Sequence, residues 1–81
     1  YPNPFNPSTT MGFKLNESGT VSLVIYDVLG KEVDRVVDNK FYERGNIRLN
    51  YSNPGLSSGV YFYSLLINGN VMDTKRMILL K

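Results

Sequence analysis

An 81-residue chain with nine basic and seven acidic side chains, no histidine and no cysteine excludes several classes of protein. A domain of this size buries only about 60–65% of its unfolded surface, so a multi-layered enzyme does not fit. Disulfides, cysteine nucleophiles, histidine-assisted catalysis and thiolate or imidazole metal sites are ruled out, and scattered basic residues do not indicate nucleic-acid binding.

Residues 1–8 are rich in proline and asparagine and predict a stiff, irregular leading segment. Proline lacks a backbone donor and biases the preceding residue towards an extended conformation. The sequence has no run of transmembrane length and no signal-peptide pattern. We therefore expect one soluble domain, residues 1–81, that is cut from a longer chain and has no membrane span.

The next two segments, residues 9–15 and 20–26, alternate apolar and polar side chains. A period of two is typical of a half-buried β-strand. The predicted inward residues are Met11, Phe13 and Leu15 in the first strand and Val21, Leu23 and Ile25 in the second.

Asp27 and Gly30 stand at the first and fourth positions of a predicted type I turn. The carboxylate can accept the N–H groups of the turn, and glycine tolerates the conformation that starts the next strand. A third strand over residues 31–38 departs from a period of two at its valines, Val33, Val36 and Val37, which a β-bulge would reconcile.

Residues 38–40 predict a turn, residues 41–43 a short edge strand, residues 47–51 a cleanly alternating strand and residues 52–58 a loop. Short strands at a spacing of roughly eight to twelve residues, without helical periodicity, are typical of a β-sandwich or barrel. The predicted fold class is all-β.

The last segment predicts a long hairpin, with strands near 60–67 and 70–80 joined by Asn68-Gly69. Asn-Gly favours a type I′ turn because both central residues need positive φ. An unbroken register pairs Tyr61 with Arg76 and Val60 with Met77, so Arg76 points inward. A bulge near Lys75 or a cation–π contact would accommodate it.

The acidic residues do not form a catalytic or metal-binding pattern. Most lie at predicted turns or on outward strand positions, where they are solvated. Asp34, Asp38 and Asn39 supply too few oxygens for calcium, which takes six or more. We expect no catalytic residue, no metal, no cofactor and no enzymatic activity.

The aromatic residues leave a carbohydrate-binding or adhesive module open as an alternative, because flat rings can stack on sugars. Tyr51, Tyr61 and Tyr63 fall on inward positions and are expected in the core, whereas Tyr26 and Phe62 are the expected exposed pair.

Four motifs occur in order along the whole chain: Tyr-Pro-Asn-Pro-Phe-Asn-Pro-Ser-Thr-Thr at 1–10, Val-Ile-Tyr-Asp-Val-Leu-Gly-Lys-Glu-Val at 24–33, Ser-Gly-Val-Tyr-Phe-Tyr at 58–63 and Lys-Arg-Met-Ile-Leu-Leu-Lys at 75–81. Together they resemble the type A C-terminal sorting domain of the type IX (Por) secretion system. The sequence also resembles the immunoglobulin-like domain of the flagellar hook cap, which keeps a structural domain of that type open as a further alternative.

The resemblance implies an immunoglobulin-like β-sandwich of about seven antiparallel strands. It also implies a non-catalytic C-terminal secretion signal, which we call the address, for a larger N-terminal cargo. In a Gram-negative bacterium this signal directs the cargo through the periplasm and the type IX outer-membrane translocon to the cell surface or the medium. A sortase-like protease commonly removes such a domain near its N-terminal boundary. The expected partners are the translocon, this protease and the cargo.

The positions that carry the address follow from the matching motifs and from the exposed face expected beside them. They lie in the Gly-Val-Tyr triplet and in the terminal strand. The predicted recognition residues are Gly59, Val60, Tyr61, Phe62, Lys75, Arg76, Met77, Leu79 and Lys81, and the predicted structural turn residues are Asp27, Gly30, Asn68 and Gly69.

Overall fold

The computed structural model describes residues 8–80, which form six β-strands and contain no helix. Of the predicted leading segment, all but Ser8 lies outside the described residues. The part described likewise includes no helix able to cross a membrane. The strands are β1 (Thr9–Leu15), β2 (Gly19–Tyr26), β3 (Glu32–Tyr42), β4 (Gly45–Tyr51), β5 (Gly59–Ile67) and β6 (Asn70–Leu79).

The strands form two antiparallel sheets that enclose one apolar core. One sheet has the order β1-β4 and the other β3-β2-β5-β6. The inward residues predicted for β1 and β2 all contribute to the core or contact it. The all-β, sandwich-like architecture is therefore confirmed, with six strands among residues 8–80 where about seven were expected.

The difference in strand count arises within β3, which is one strand where a strand, a turn and an edge strand were predicted. The predicted turn around Asn39 is instead a bulge, in which Asn39 has a φ of 51°. The Asn39 N–H donates to Ser22 Oγ at 3.0 Å, so β2 supplies the partner that holds the bulge in place. The predicted turn is wrong because this contact lets pairing continue, whereas Phe41 and Tyr42 do lie in an edge strand, as the end of β3 and not as a separate strand.

The valines of β3 lose their period of two for the same reason. Pairing between β2 and β3 shifts at three places, so that β3 contains more residues than the segment of β2 it faces. Each extra residue reverses the side on which the following side chains lie. The bulge inferred from the valine pattern is confirmed.

Tyr61, near the start of β5, is bonded to the loop that precedes this strand. It is buried, and its hydroxyl donates to the backbone oxygen of Ser57 at 2.8 Å. A tyrosine near the start of a strand that bonds to the backbone a few residues upstream is a feature of immunoglobulin-like sandwiches. Tyr61 thus belongs to the core, as does Tyr51, in agreement with the sequence-based expectation.

Candidate recognition surface

The turn of the C-terminal hairpin has the geometry predicted from Asn68-Gly69. Asn68 has a φ of 51° and Gly69 a φ of 84°, the positive values that a type I′ turn needs. The Asn68 N–H donates to Thr20 O at 2.8 Å, and Thr20 N donates to Asn68 Oδ1 at 3.0 Å. These two bonds attach the turn to β2.

The register of the hairpin follows the prediction for two residue pairs and then shifts by one. Leu66 pairs with Val71, but Leu65 pairs with Asp73, because Met72 forms a bulge. The bulge lies three residues before Lys75, near which one was expected. The shift makes the predicted pairings between Tyr61 and Arg76 and between Val60 and Met77 wrong.

The shifted register exchanges the positions of Arg76 and Met77. Met77 pairs with Tyr61 and is buried, whereas Arg76 pairs with Phe62 and is exposed. Burial of an unpaired guanidinium would cost several kcal/mol, whereas burial of a methionine side chain is favourable by about 1.5–3 kcal/mol. The bulge therefore removes the conflict at Arg76 without a cation–π contact.

An apolar patch lies on the outward face at the end of β5 and β6. Val60 and Ile78 are direct cross-strand partners, and both are exposed, Ile78 by 54%. Leu80 follows β6 and is exposed by 76%. We call Val60, Ile78 and Leu80 the terminal patch. Within residues 8–80, the outer edge of β6 pairs with no strand.

The turn between β2 and β3 exposes two further apolar residues at the same end of the sheet. Asp27 Oδ1 accepts hydrogen bonds from the N–H groups of Leu29 and Lys31, both at 2.9 Å, and Gly30 has a φ of 84°. Asp27 thus caps this turn, and Gly30 has the positive φ at its end. Leu29 is exposed by 89% and Val28 by 66%.

Sequence reasoning identified the outer residues of this turn and missed its centre. Tyr26, just before the turn, pairs with Phe62, two residues beyond Val60 in β5, so the turn lies at the end of the sheet that carries the terminal patch. Two apolar residues at the central positions of a turn, where polar residues are usual, were the available signal.

The predicted recognition residues divide by exposure. Met77, Leu79 and Tyr61 are buried, Gly59 and Phe62 are half-buried, and Val60, Lys75 and Arg76 are exposed. Lys81 lies outside the described residues. The expected exposed aromatic pair, Tyr26 and Phe62, is half-buried instead, and the two residues are direct cross-strand partners.

The acidic residues considered for calcium have other partners. Asp34 Oδ2 accepts from Tyr51 and Asn53, and Asp38 accepts from Arg35 at 3.3 Å. In the part of the chain that the structure describes, no three histidine, cysteine or acidic side chains gather as metal ligands.

Comparison with known proteins identifies one family. The model of the secretion system C-terminal sorting domain matches residues 1–80, nearly the whole chain. No curated protein and no solved structure matches.

Proposed function

This chain belongs to the family of type IX secretion system C-terminal sorting domains, and we propose on that premise that β6 and the terminal patch form the surface that the outer-membrane translocon reads. The general function of the domain follows from the family. The domain is a C-terminal secretion signal for a cargo, which the type IX machinery of Gram-negative Bacteroidetes exports to the cell surface or the medium. Domains of this family are generally non-catalytic.

We also infer the route by which the cargo is exported. The cargo crosses the inner membrane, and the folded domain is recognised from the periplasm by the translocon. A sortase-like cysteine protease then cuts near the N-terminal boundary of the domain, and the cargo is released or attached to lipopolysaccharide. The family resemblance of the motifs at 1–10 and 75–81 supports this sequence of events.

The observation that carries the proposal is the exposed cross-strand pair of Val60 and Ile78 beside the free edge of β6. Exposed apolar residues grouped on one face often mark an interaction site. A free strand edge offers unpaired backbone groups to a partner, and alternate side chains then provide specificity. Val60 belongs to the motif at 58–63, and Ile78 and the end of the β6 edge belong to the motif at 75–81.

The buried residues of the motifs at 58–63 and 75–81 hold the exposed ones in place. Tyr61, Met77 and Leu79 pack into the core, and their packing holds Ile78 and Arg76 on the outward face. Arg76, which pairs with Phe62 on the same outward face, places a positive charge beside the terminal patch. Charge beside an apolar centre directs approach and register more than it adds affinity.

The test is delivery of a reporter protein fused ahead of this chain and behind a signal peptide, in a bacterium with a type IX system. Removal of residues 77–81 should leave the reporter in the periplasm. Ile78→Ser should do the same while the isolated domain keeps its melting temperature within a few degrees. Normal surface delivery of both variants would contradict the proposal.

A matched control is available on the same strand. Val71 is exposed by 61%, close to the 54% of Ile78, but it lies at the hairpin end of β6. Val71→Ser should therefore leave delivery unchanged. Equal loss of delivery in the two variants would assign the effect to the general stability of β6 and not to the terminal patch.

The alternatives receive no specific support from the described residues. A sugar-binding module would present a row of exposed rings, but among the aromatic side chains of residues 8–80 only Phe41 is exposed. A structural subunit of the hook-cap type would be expected to self-associate, which sedimentation of the 81-residue chain would detect.

A further inference from the structure

The two sheets differ in width, and the difference opens the sandwich along one side. Strands in a sheet lie about 4.8 Å apart, so the two strands β1 and β4 cover only about half of the inner face of the four-stranded sheet. Contact between Tyr51 of β4 and Asp34 of β3 places β4 over the β3 side. Phe13 of β1 also packs edge-to-face on Tyr42 of β3, and the free edge of β1 borders the space above β5 and β6.

A groove of about 570 Å³ lies between β1 and β6, which we call the lateral groove. Its floor includes Tyr63, Leu65 and Ile67, which are alternate residues of β5 and lie on its inner face. Tyr63 and Ile67 are only half-buried. An apolar row with the period of a strand suits a second strand laid above it.

The wall of the groove on the β1 side is a strand edge. Among residues 8–80, β1 pairs with β4 alone, so one side of its backbone has no partner strand. Gly12, Phe13 and Lys14 line the groove from this edge. Unpaired N–H and C=O groups of an edge strand are the groups to which an extended peptide adds.

Charged side chains mark the two ends of the groove with different sign. Asp73 is the pair partner of Leu65 on β6, and Glu17 lies in the turn before β2, beside the hairpin turn. Lys75 is opposite Tyr63, two residues further from the hairpin turn, and Lys14 lines the groove from β1. None of the four forms an ion pair, since both ion pairs of the described residues belong to Arg35.

We propose that the lateral groove binds an extended peptide segment of a partner protein, which pairs antiparallel with β1 as a third strand of the smaller sheet. Alternate apolar side chains of the segment pack on Tyr63, Leu65 and Ile67. A basic residue at its N-terminal end lies near Glu17 and Asp73, and an acidic residue at its C-terminal end lies near Lys75. This surface is distinct from the terminal patch, which lies on the opposite face of the larger sheet.

The probe is the synthetic heptapeptide acetyl-Lys-Val-Thr-Val-Thr-Val-Glu-amide, titrated into the ¹⁵N-labelled 81-residue chain. Amide resonances of residues 12–15, 63–67 and 73–75 should shift, whereas those of the terminal patch should not. The peptide of reversed sequence, with acid first and base last, should bind more weakly. A copy methylated on alternate backbone nitrogens should not bind, because it cannot pair with the edge of β1.

Charge reversal tests the orientation in a domain that still folds. Glu17 and Asp73 are exposed and make no ion pair, so replacing both with lysine should leave the spectrum of the free domain dispersed. Glu17→Lys and Asp73→Lys should each weaken binding of the first peptide about two- to fivefold, which is the usual contribution of an exposed ion pair. Each should strengthen binding of the reversed peptide.

Four results would overturn the proposal. They are the absence of groove shifts at millimolar peptide, equal binding of the N-methylated copy, equal binding of the two sequence polarities, and groove shifts that follow the concentration of the domain alone. The last would assign the groove to a second copy of the chain.

Discussion

The Tyr51 hydroxyl donates a hydrogen bond of 2.5 Å to Asp34 Oδ2 and thereby joins the two sheets of the sandwich. Tyr51 is on β4 and Asp34 on β3. Asn53 Nδ2 donates to the same oxygen at 2.9 Å. Burial raises the pKa of Tyr51 to about 12, and the contact with Asp34 acts in the same direction because a tyrosinate would face a carboxylate.

Tyr51→Phe should reduce the free energy of unfolding by about 1–2 kcal/mol, because the half-buried Asp34 loses one of the two donors to its Oδ2 and keeps Asn53. Urea unfolding followed by circular dichroism measures this. Tyr63→Phe is the control, since the Tyr63 hydroxyl makes no hydrogen bond within the described residues; it should change stability by less than about 0.5 kcal/mol. Equal effects would contradict the proposed role of the Asp34 contact.

Stability should fall between about pH 10 and pH 12 through Tyr51. The folded-state pKa is raised to about 12 and the unfolded-state pKa is about 10, so the contribution is complete below pH 10 and is lost as the pH rises through 12. With an allowance for solvent near the hydroxyl, the loss is about 1–2 kcal/mol. Tyr51→Phe should lack this component, and identical pH profiles would refute it.

The register of the hairpin predicts opposite effects at neighbouring residues. Met77→Ala should destabilise by about 2–5 kcal/mol, because the side chain is buried opposite Tyr61. Arg76→Ala should change stability by less than about 0.5 kcal/mol, because Arg76 is exposed. Thermal unfolding of both variants measures these losses of stability. A larger loss for Arg76→Ala than for Met77→Ala would contradict the bulge at Met72.

The bulge in β3 predicts a dependence on the backbone conformation of Asn39. Asn39→Ala should destabilise by about 1–2 kcal/mol, because its φ of 51° disfavours alanine. Asn39→Gly tolerates that φ and loses only the side-chain contact with Ser22, so it should be the milder change. Chemical unfolding of the pair distinguishes conformational strain from the loss of the contact.

Tyr61→Phe separates the fold from the address. It removes the bond to Ser57 O and should cost about 1 kcal/mol in unfolding. Delivery of a fused reporter should continue, because the ring still fills the core and Ile78 stays exposed. If this variant folds fully but its reporter is not delivered, the Tyr61 hydroxyl itself is part of the secretion signal.

The family motifs located the candidate surface in the sequence, but exposure within it depends on the fold. The motif at 75–81 contains Met77 and Ile78 side by side, and an unbroken register from the turn at Asn68-Gly69 places Met77 outward and Ile78 inward, which the structure contradicts. The bulge at Met72 decides this, and it also exposes Arg76 beside the terminal patch. The lateral groove was not predictable, because it arises from the unequal widths of two sheets formed by distant segments.

The sequence by itself determined the strands β1 and β2 and the turns at Asp27–Gly30 and Asn68-Gly69, because alternation, carboxylate capping and tolerance of positive φ depend on a few adjacent residues. Only the tertiary structure decided the continuity of β3 and the register of β6. The first depends on Ser22, which another strand supplies to Asn39. The second depends on the opposing sheet and core, against which a buried Met77 is far more favourable than a buried Arg76.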